Sequence, residues 1–367
     1  MTTTAPPTSI PQQGARALDP DKLMAFVFRA VGEVGATLNT ALVTMGDQLG
    51  YYRAMADGQP ITPAELAEQT STSEHYTREW LAAQAAGEFV TYDAPTRRYT
   101  LPAEHAAALT DASSPAYLPG LFQLAHGTVR DTPAVLEAAR TGDGRGWHTH
   151  NADVHEGCER FFRTMYNGPL ISEWLPALDG VVDKLTRGAT VADVGCGYGA
   201  STILMAQTYP NSVFQGSDYH EGSIAVARER AAQAGVADRV SFEVAPASSF
   251  HGTGYDLVTM FDCLHDMGDP VGAARHVREA IAEDGTWMIV EPMAGDAVED
   301  NLNPVGRTFY GFSTLLCTPA SLSQDVGLAL GTQAGPARIR DVAAAGGFHR
   351  FRSAASTPFN NVLEARP

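Results

Sequence analysis

From residue 21 to about residue 109, apolar side chains recur at helical spacing, broken by the extended runs Glu88-Phe-Val-Thr-Tyr92 and Arg98-Tyr-Thr-Leu101 around Asp93-Ala-Pro-Thr96. The spacing predicts three helices followed by a hairpin. In Ile61-Thr-Pro-Ala-Glu65, Thr62 can cap a helix, Pro63 suits its first position and Glu65 can close a capping box. Ser71-Thr-Ser-Glu74 offers the same signal for the next helix. Residues 113–180 read as mostly helical, with a glycine-rich break at Thr141-Gly-Asp-Gly-Arg-Gly146. From Thr190 onward short apolar runs alternate with helical stretches, which predicts a parallel sheet with crossover helices. Strands are expected at 190–194, 212–217, 240–244, 257–261 and 287–291, with a last pair at 348–353 and 361–364.

This organisation divides the chain into a tail (1–20), an α-rich domain (21–112), a helical connector that can roof a pocket (113–180) and an α/β domain (181–367). The first domain resembles a winged helix in its element order. Reading DNA is not its expected use, because residues 40–110 hold nine acidic and four basic side chains and the helix over 74–86 offers only Arg78 as a permanent cation. Packing against a second copy is the better use.

Composition narrows the picture. A chain of 367 residues, 44% hydrophobic and 18% charged, can bury the cores of two domains. Its formal charge of −17 repels phosphate backbones and anionic lipid, so nucleic acid and membrane surfaces are poor partners and a small neutral or cationic molecule a better one. Cys158, Cys196, Cys263 and Cys317 show no CxxC spacing, which argues against a disulfide framework or zinc ribbon and favours the cytoplasm. No run of 18 apolar residues occurs, so no bilayer-spanning segment is expected.

The chemistry gathers at strand ends. Val191-Ala-Asp-Val-Gly-Cys-Gly-Tyr-Gly199 runs from the first strand of the α/β domain into a helix. Gly195, Gly197 and Gly199 allow the backbone to turn sharply against a ligand, with Cys196 between them. The spacing is GxGxG rather than the GxGxxG of a pyrophosphate site, and the carboxylate of Asp193 favours a cationic ligand. The second strand ends at Asp218, followed by Tyr219, where two acceptor oxygens can hold ribose hydroxyls. Asp193, the glycines and Asp218 together resemble the class I S-adenosylmethionine methyltransferases, from roughly residue 185 to the C-terminus. The fold implied is a Rossmann-like, mostly parallel sheet with an antiparallel last strand. Ala247 and Ser248 stand where many members have an acidic residue for the adenine, so Phe261 and Asp262 are also expected at the cofactor.

His265-Asp-Met-Gly-Asp269 resembles the His-Asp-Trp-x-Asp element of the plant-type O-methyltransferases, whose N-terminal winged-helix domain dimerises. The resemblance implies a homodimer, His265 as general base, Glu291 as the carboxylate that orients it, and Gln333 where the family often has a second carboxylate. A glutamine can orient the ring but cannot stabilise its cation by charge. The expected activity is methyl transfer from S-adenosylmethionine to a small organic acceptor, most simply a hydroxyl. N- or C-methylation, and a winged-helix regulator that senses a metabolite, are the alternatives. Trp147, Phe162, Tyr166, Asn301, Arg307 and Gln333 are expected at the acceptor. The three histidines of Trp147-His-Thr-His-Asn-Ala-Asp-Val-His155 match no common metal-ligand spacing and are assigned to the pocket or surface.

Overall fold

The computed structural model describes residues 18–367; the expected tail falls, over residues 1–17, outside the described residues. Asp19 caps α1 (Pro20–Gln48) by accepting from the amides of Asp21 and Lys22. The C-terminal part of this helix is anchored: Trp80 Nε1 donates to the Leu42 carbonyl at 2.9 Å, and a Cβ on Gly46 would meet the same indole at 2.4 Å. The preceding turns instead expose Phe26, Phe28, Val31, Val34 and Leu38. By length and composition α1 could cross a membrane, although only 6% of its most apolar window is buried. The criterion of an unbroken apolar run missed this because Arg29 and Glu33 interrupt the stretch.

The helices α2 (Tyr51–Ala54), α3 (Pro63–Thr70), α4 (Glu74–Ala86) and α5 (Ala103–Leu109) and the antiparallel pair β1 (Thr91–Asp93) and β2 (Arg98–Thr100) enclose Tyr51, Tyr52, Leu66, Trp80, Leu81 and Leu101. The capping box at Thr62 and Glu65 forms as its spacing predicts, and Arg98 of the hairpin pairs with Glu65 at 2.8 Å. Ser71 departs from expectation. It ends α3 in a left-handed conformation, φ +54°, and Ser73 takes the cap position of α4 without a side-chain bond.

Helices α6 (Pro119–Arg130), α7 (Thr132–Thr141) and α8 (Ala152–Asn167) form the connector. A Cβ on Gly157 would meet the Leu124 amide nitrogen at 2.3 Å and one on Gly120 the Phe161 amide nitrogen at 2.5 Å, so α6 and α8 touch backbone to backbone.

The C-terminal domain holds a seven-stranded sheet in the order β5-β4-β3-β6-β7-β9-β8: β3 (Thr190–Val194), β4 (Val213–Asp218), β5 (Val240–Val244), β6 (Tyr255–Phe261), β7 (Ile281–Pro292), β8 (Arg350–Ser356) and β9 (Asn360–Arg366). The first five pair in parallel, and β9 enters antiparallel between β7 and β8. The central strands β3, β6 and β9 and the second half of β7 are buried on both faces, as covering helices require, while the outer strands β5 and β8 are partly exposed. α9 (Val181–Arg187), α10 (Ala200–Thr208) and α11 (Glu221–Gln233) cover one face around Leu185, Met205, Ile224 and Leu257. α12 (Pro270–Ala280) and α15 (Gly335–Ala345) cover the other around Val258, Val277, Trp287 and Ile339. Between β7 and α15, α13 (Pro304–Phe312) and α14 (Thr318–Leu322) pack Phe309, Phe312 and Leu316 against Leu124 and Val154 of the connector. A cavity of about 720 Å³ therefore forms where the connector roofs the carboxyl ends of the parallel strands.

Candidate active site

The glycine turn leaves β3 and enters α10 with Gly195, Gly197 and Gly199 all at positive φ. A Cβ on Gly199 would strike the Phe242 ring at 2.7 Å, whereas one on Gly197 would meet nothing within 4 Å, so the turn packs tightly below and leaves open space at its tip. Gly197 donates its amide to Asp218 Oδ2 at 3.0 Å, and the His220 amide donates to Oδ1 at 2.8 Å. Asp218 thus stands fixed at the end of β4 on the cavity wall, its pKa raised by burial. Cys196, Tyr219, Ala247 and Ser248 line the same half.

Asp193 lies beneath the turn and not on the wall. It is 1% exposed; its Oδ2 accepts from Ser201 at 2.7 Å and Thr202 at 2.5 Å, and its Oδ1 from Thr259 at 2.9 Å. Burial raises its pKa against these hydroxyl bonds.

The other half of the cavity is bounded by Trp147, Phe162, Tyr166, Phe309, Phe312 and Leu316. His265, on the short turn after β6, faces this space. Its Nδ1 is 2.5 Å from Glu291 Oε2, while Glu291 Oε1 accepts from the Leu264 amide at 3.0 Å. Glu291 is held behind the ring, off the cavity wall. Burial alone would lower the His265 pKa, but the Glu291 carboxylate and the Cys317 thiol beside the ring raise it well above the ordinary histidine value. Asp266 is pushed up to about 7 by burial.

Helix α8 is tied to the cofactor-facing elements at several points. Arg230 of α11 pairs with Glu159 at 2.5 Å and lies 5.2 Å over the Tyr198 ring of the glycine turn. The His155 ring stacks on His220 at 5.5 Å and 11°. Tyr166 packs on Phe261 at 5.0 Å.

A winged helix-turn-helix domain model of the Rv2258c-like type matches residues 37–111, and a methyltransferase domain model matches residues 185–314. The chain thus carries a winged helix-turn-helix domain ahead of a methyltransferase domain. The methyltransferase GfsG of Streptomyces halstedii is 26% identical over 132 residues, 35% of this chain and 47% of that protein. An uncharacterised protein of Synechococcus is 34% identical over 83 residues, 22% of this chain and 20% of its own length. The chain thus spans less than half the length of these curated relatives. Among solved structures, human N-acetylserotonin methyltransferase in complex with S-adenosylmethionine has a TM-score of 0.68 at 14% identity, covering 96% of this chain and 99% of its own. A candidate O-methyltransferase from Nostoc punctiforme has a TM-score of 0.69 at 21% identity, covering 93% and 98%.

Against the sequence expectations, the fold brings Gly195, Cys196, Gly197, Asp218, Tyr219, Ala247, Ser248, Phe261, Asp262 and His265 to one cavity, along with Trp147, Phe162 and Tyr166. Gly199 supports the turn from below. Three expected acceptor residues stand elsewhere. Asn301 closes its own loop through Gly295 and Ala297, and Arg307 is 70% exposed in an ion pair with Glu33 of α1. Gln333 donates its Nε2 to the carbonyls of Met293 and Thr332, both at 3.2 Å, while its buried Oε1 has no partner, and Cys317 is the group beside His265. His150 pairs with Asp131 at 2.7 Å while His155 turns to His220, so the histidine run disperses. Among the described residues no group of three or more His, Cys, Asp or Glu has metal-binding geometry. Sequence reasoning missed Cys317 and Leu316. Only the apolar stripe of the 309–317 segment hinted at them.

Replacing Asp193 by Ala strands three buried hydroxyls. The expected loss is about 2–4 kcal/mol of folding stability, read from urea midpoints. A loss under about 0.5 kcal/mol would show that the cage does not hold the turn.

Proposed function

We propose that this cavity binds S-adenosylmethionine across the glycine turn and methylates a hydroxyl of a small, partly aromatic molecule, with His265 as general base and Glu291 as its orienting group. The shared wall of Asp218, the turn and the buried His265–Glu291 pair carries this reading. The residues present suit the nucleoside: a carboxylate stands at the strand end with fixed oxygens, the tip of the turn is open where a Cβ would meet nothing, and the surrounding charge is acidic. In this assignment Asp218 holds the ribose, Ala247, Ser248 and Phe261 bound the base, and Asp193 acts through the turn it supports. S-adenosylmethionine, when bound, supplies an electrophilic methyl group.

The chain's own part is positioning and proton removal. With Nδ1–H donated to Glu291, Nε2 is the nitrogen of His265 that would take the proton of the acceptor hydroxyl, which must displace the Cys317 thiol from the ring. A phenol of pKa about 10 lies roughly 3.5 units above an ordinary histidine, a gap of about 5 kcal/mol for full proton transfer. The raised pKa of His265 narrows that gap, and the aromatic wall excludes water and holds the ring. The cost is that the base must be neutral, so a raised pKa moves the working range upward.

The division at 21–112, 113–180 and 181–367 gives the first domain an assembly role. We assign a homodimer formed through the N-terminal domain, since α1 presents Phe26, Phe28, Val31, Val34 and Leu38 to solvent. The free cysteines suit the reducing cytoplasm in which we place it.

S-adenosylhomocysteine at a hundredfold excess over its Kd should stabilise the protein by about 2.7 kcal/mol, and an unchanged Tm would remove the assignment. His265→Ala should lower kcat on a hydroxyl acceptor about 10²- to 10⁴-fold with cofactor affinity nearly unchanged; full activity would point to N- or C-methylation. The rate should rise with pH through the raised pKa of His265, as the ring loses its proton. Glu291→Gln removes the charge that supports the imidazolium, so its acid limb should shift to lower pH as the maximum falls. An unmoved limb would mean that another group titrates. Light scattering should give about twice 39.0 kDa, and Phe28→Asp combined with Val31→Asp should give the monomer with cofactor binding intact. A monomeric wild type would refute the dimer.

A further inference from the structure

We infer that Asp262 is the acceptor-recognition residue of this cavity, and that the acceptor carries a protonated amine in addition to the group that is methylated. The inference rests on the methyltransferase reading and names the substrate class for it.

Asp262 follows β6 with φ +49°, a left-handed conformation that a non-glycine residue adopts at a cost and that concentrates at functional sites. Its side chain lines the cavity and retains part of its surface there. Asp193 and Asp262, at the ends of neighbouring strands, differ in kind. Asp193 is saturated by three short hydroxyl bonds and has no cavity surface. Asp262 has only neutral donors at longer range: Tyr166 Oη donates to Oδ2 at 3.3 Å, and Asn360 Nδ2 donates to Oδ1 at 3.0 Å and Oδ2 at 3.3 Å. Among the described residues no Lys, Arg or His is within ion-pair distance of it. Asn360 is itself 1% exposed, and its Oδ1 has no partner. A carboxylate so placed has no cation in contact with it when ionised: burial raises its pKa well above the usual range and Glu291 adds to the effect, against a partial offset from the more distant His265 and the Tyr166 hydroxyl.

Charge and shape point the same way. Asp218, Asp262, Asp266, Asp269 and Asp325 face the cavity, Glu159 is already paired with Arg230, and Arg163 is the sole permanent cation on the wall. An anionic acceptor would meet this field unfavourably, whereas an ammonium would be drawn in and would supply the charge that Asp262 lacks. Asp266 lies toward the half lined by Asp218 and Tyr219: its charge raises the Tyr219 pKa, and the Asp218 carboxylate helps raise its own. Asp262 lies against Tyr166 in the half walled by Phe162, Phe309 and Phe312, where an aromatic ring would sit.

The test is calorimetric, on protein loaded with S-adenosylhomocysteine, with three probes of one shape: tyramine, 4-ethylphenol and 3-(4-hydroxyphenyl)propionate. Tyramine should bind about tenfold or more tightly than 4-ethylphenol, as a charged hydrogen bond implies, and the propionate should bind weakest. Asp262→Asn retains a residue that tolerates the left-handed backbone. That variant, saturated with S-adenosylhomocysteine, should bring tyramine and 4-ethylphenol to within about threefold of each other. Equal binding of amine and neutral probe by the wild type, survival of the amine preference in the variant, or no binding of any probe overturns the inference. A protein that takes up no S-adenosylhomocysteine overturns the methyltransferase reading itself, which is a separate and earlier failure.

Discussion

The Asp193 carboxylate, withdrawn from water beneath the glycine turn, is the constraint from which the rest of the site follows. Removing such a group from solvent costs several kcal/mol, and three hydroxyls from two other elements offset that cost. Ser201 and Thr202 belong to the first turn of α10 and Thr259 to the neighbouring strand β6, so one side chain joins a strand end, a helix start and the adjacent strand. With those three fixed, the turn between them has a single path. Gly197 then reaches Asp218, and the end of β6, from which Asp262 and His265 project, keeps a constant distance from the turn. The acid that sequence spacing suggests for ligand contact therefore does its work one layer down.

A second constraint closes the cavity from above. Helices α6 and α8 approach so closely that a methyl group at Gly157 or Gly120 would collide with backbone, which makes the roof a rigid pair rather than two loose helices. That pair is then joined to the sheet domain by Glu159 with Arg230, by the His155 and His220 rings, and by Tyr166 on Phe261. These contacts cross from the connector to elements that begin at Asp218 and Phe261. The roof therefore bears on both halves of the cavity, and the aromatic surface of α8 becomes the wall of its apolar half.

The elements were legible because their signals are local. Alternation of apolar runs with helical stretches marked all seven strands of the sheet to within a few residues at most ends, and the Thr62 capping box formed as its spacing requires. Ser71 failed because a cap signal of the Ser-x-x-Glu type does not say whether the preceding helix has yet ended. The site was legible wherever a residue sits at a strand end, because strand ends of a parallel sheet converge whatever the loops do: Asp218, Phe261, Asp262, His265 and Glu291 are all of this kind. Asn301, Arg307 and Gln333 come from the long segment after β7, where no periodicity indicates which side chains turn inward. Each was claimed by a nearby backbone group or by α1.

Sequence by itself determined the order of the two folded domains, the alternation of strands with crossover helices and the glycine turn, which follow from periodicity and from the fixed geometry of strand ends, while the antiparallel β9 and the pairing of His265 with Glu291 were implied by the family resemblance. Tertiary structure alone decided that Asp193 is a support rather than a wall, that Cys317 and not Gln333 stands beside the histidine, and that Asp262 is left with neutral partners only. Those outcomes depend on which buried donors reach which acceptors across elements distant in the chain, and no spacing along one strand or helix carries that information.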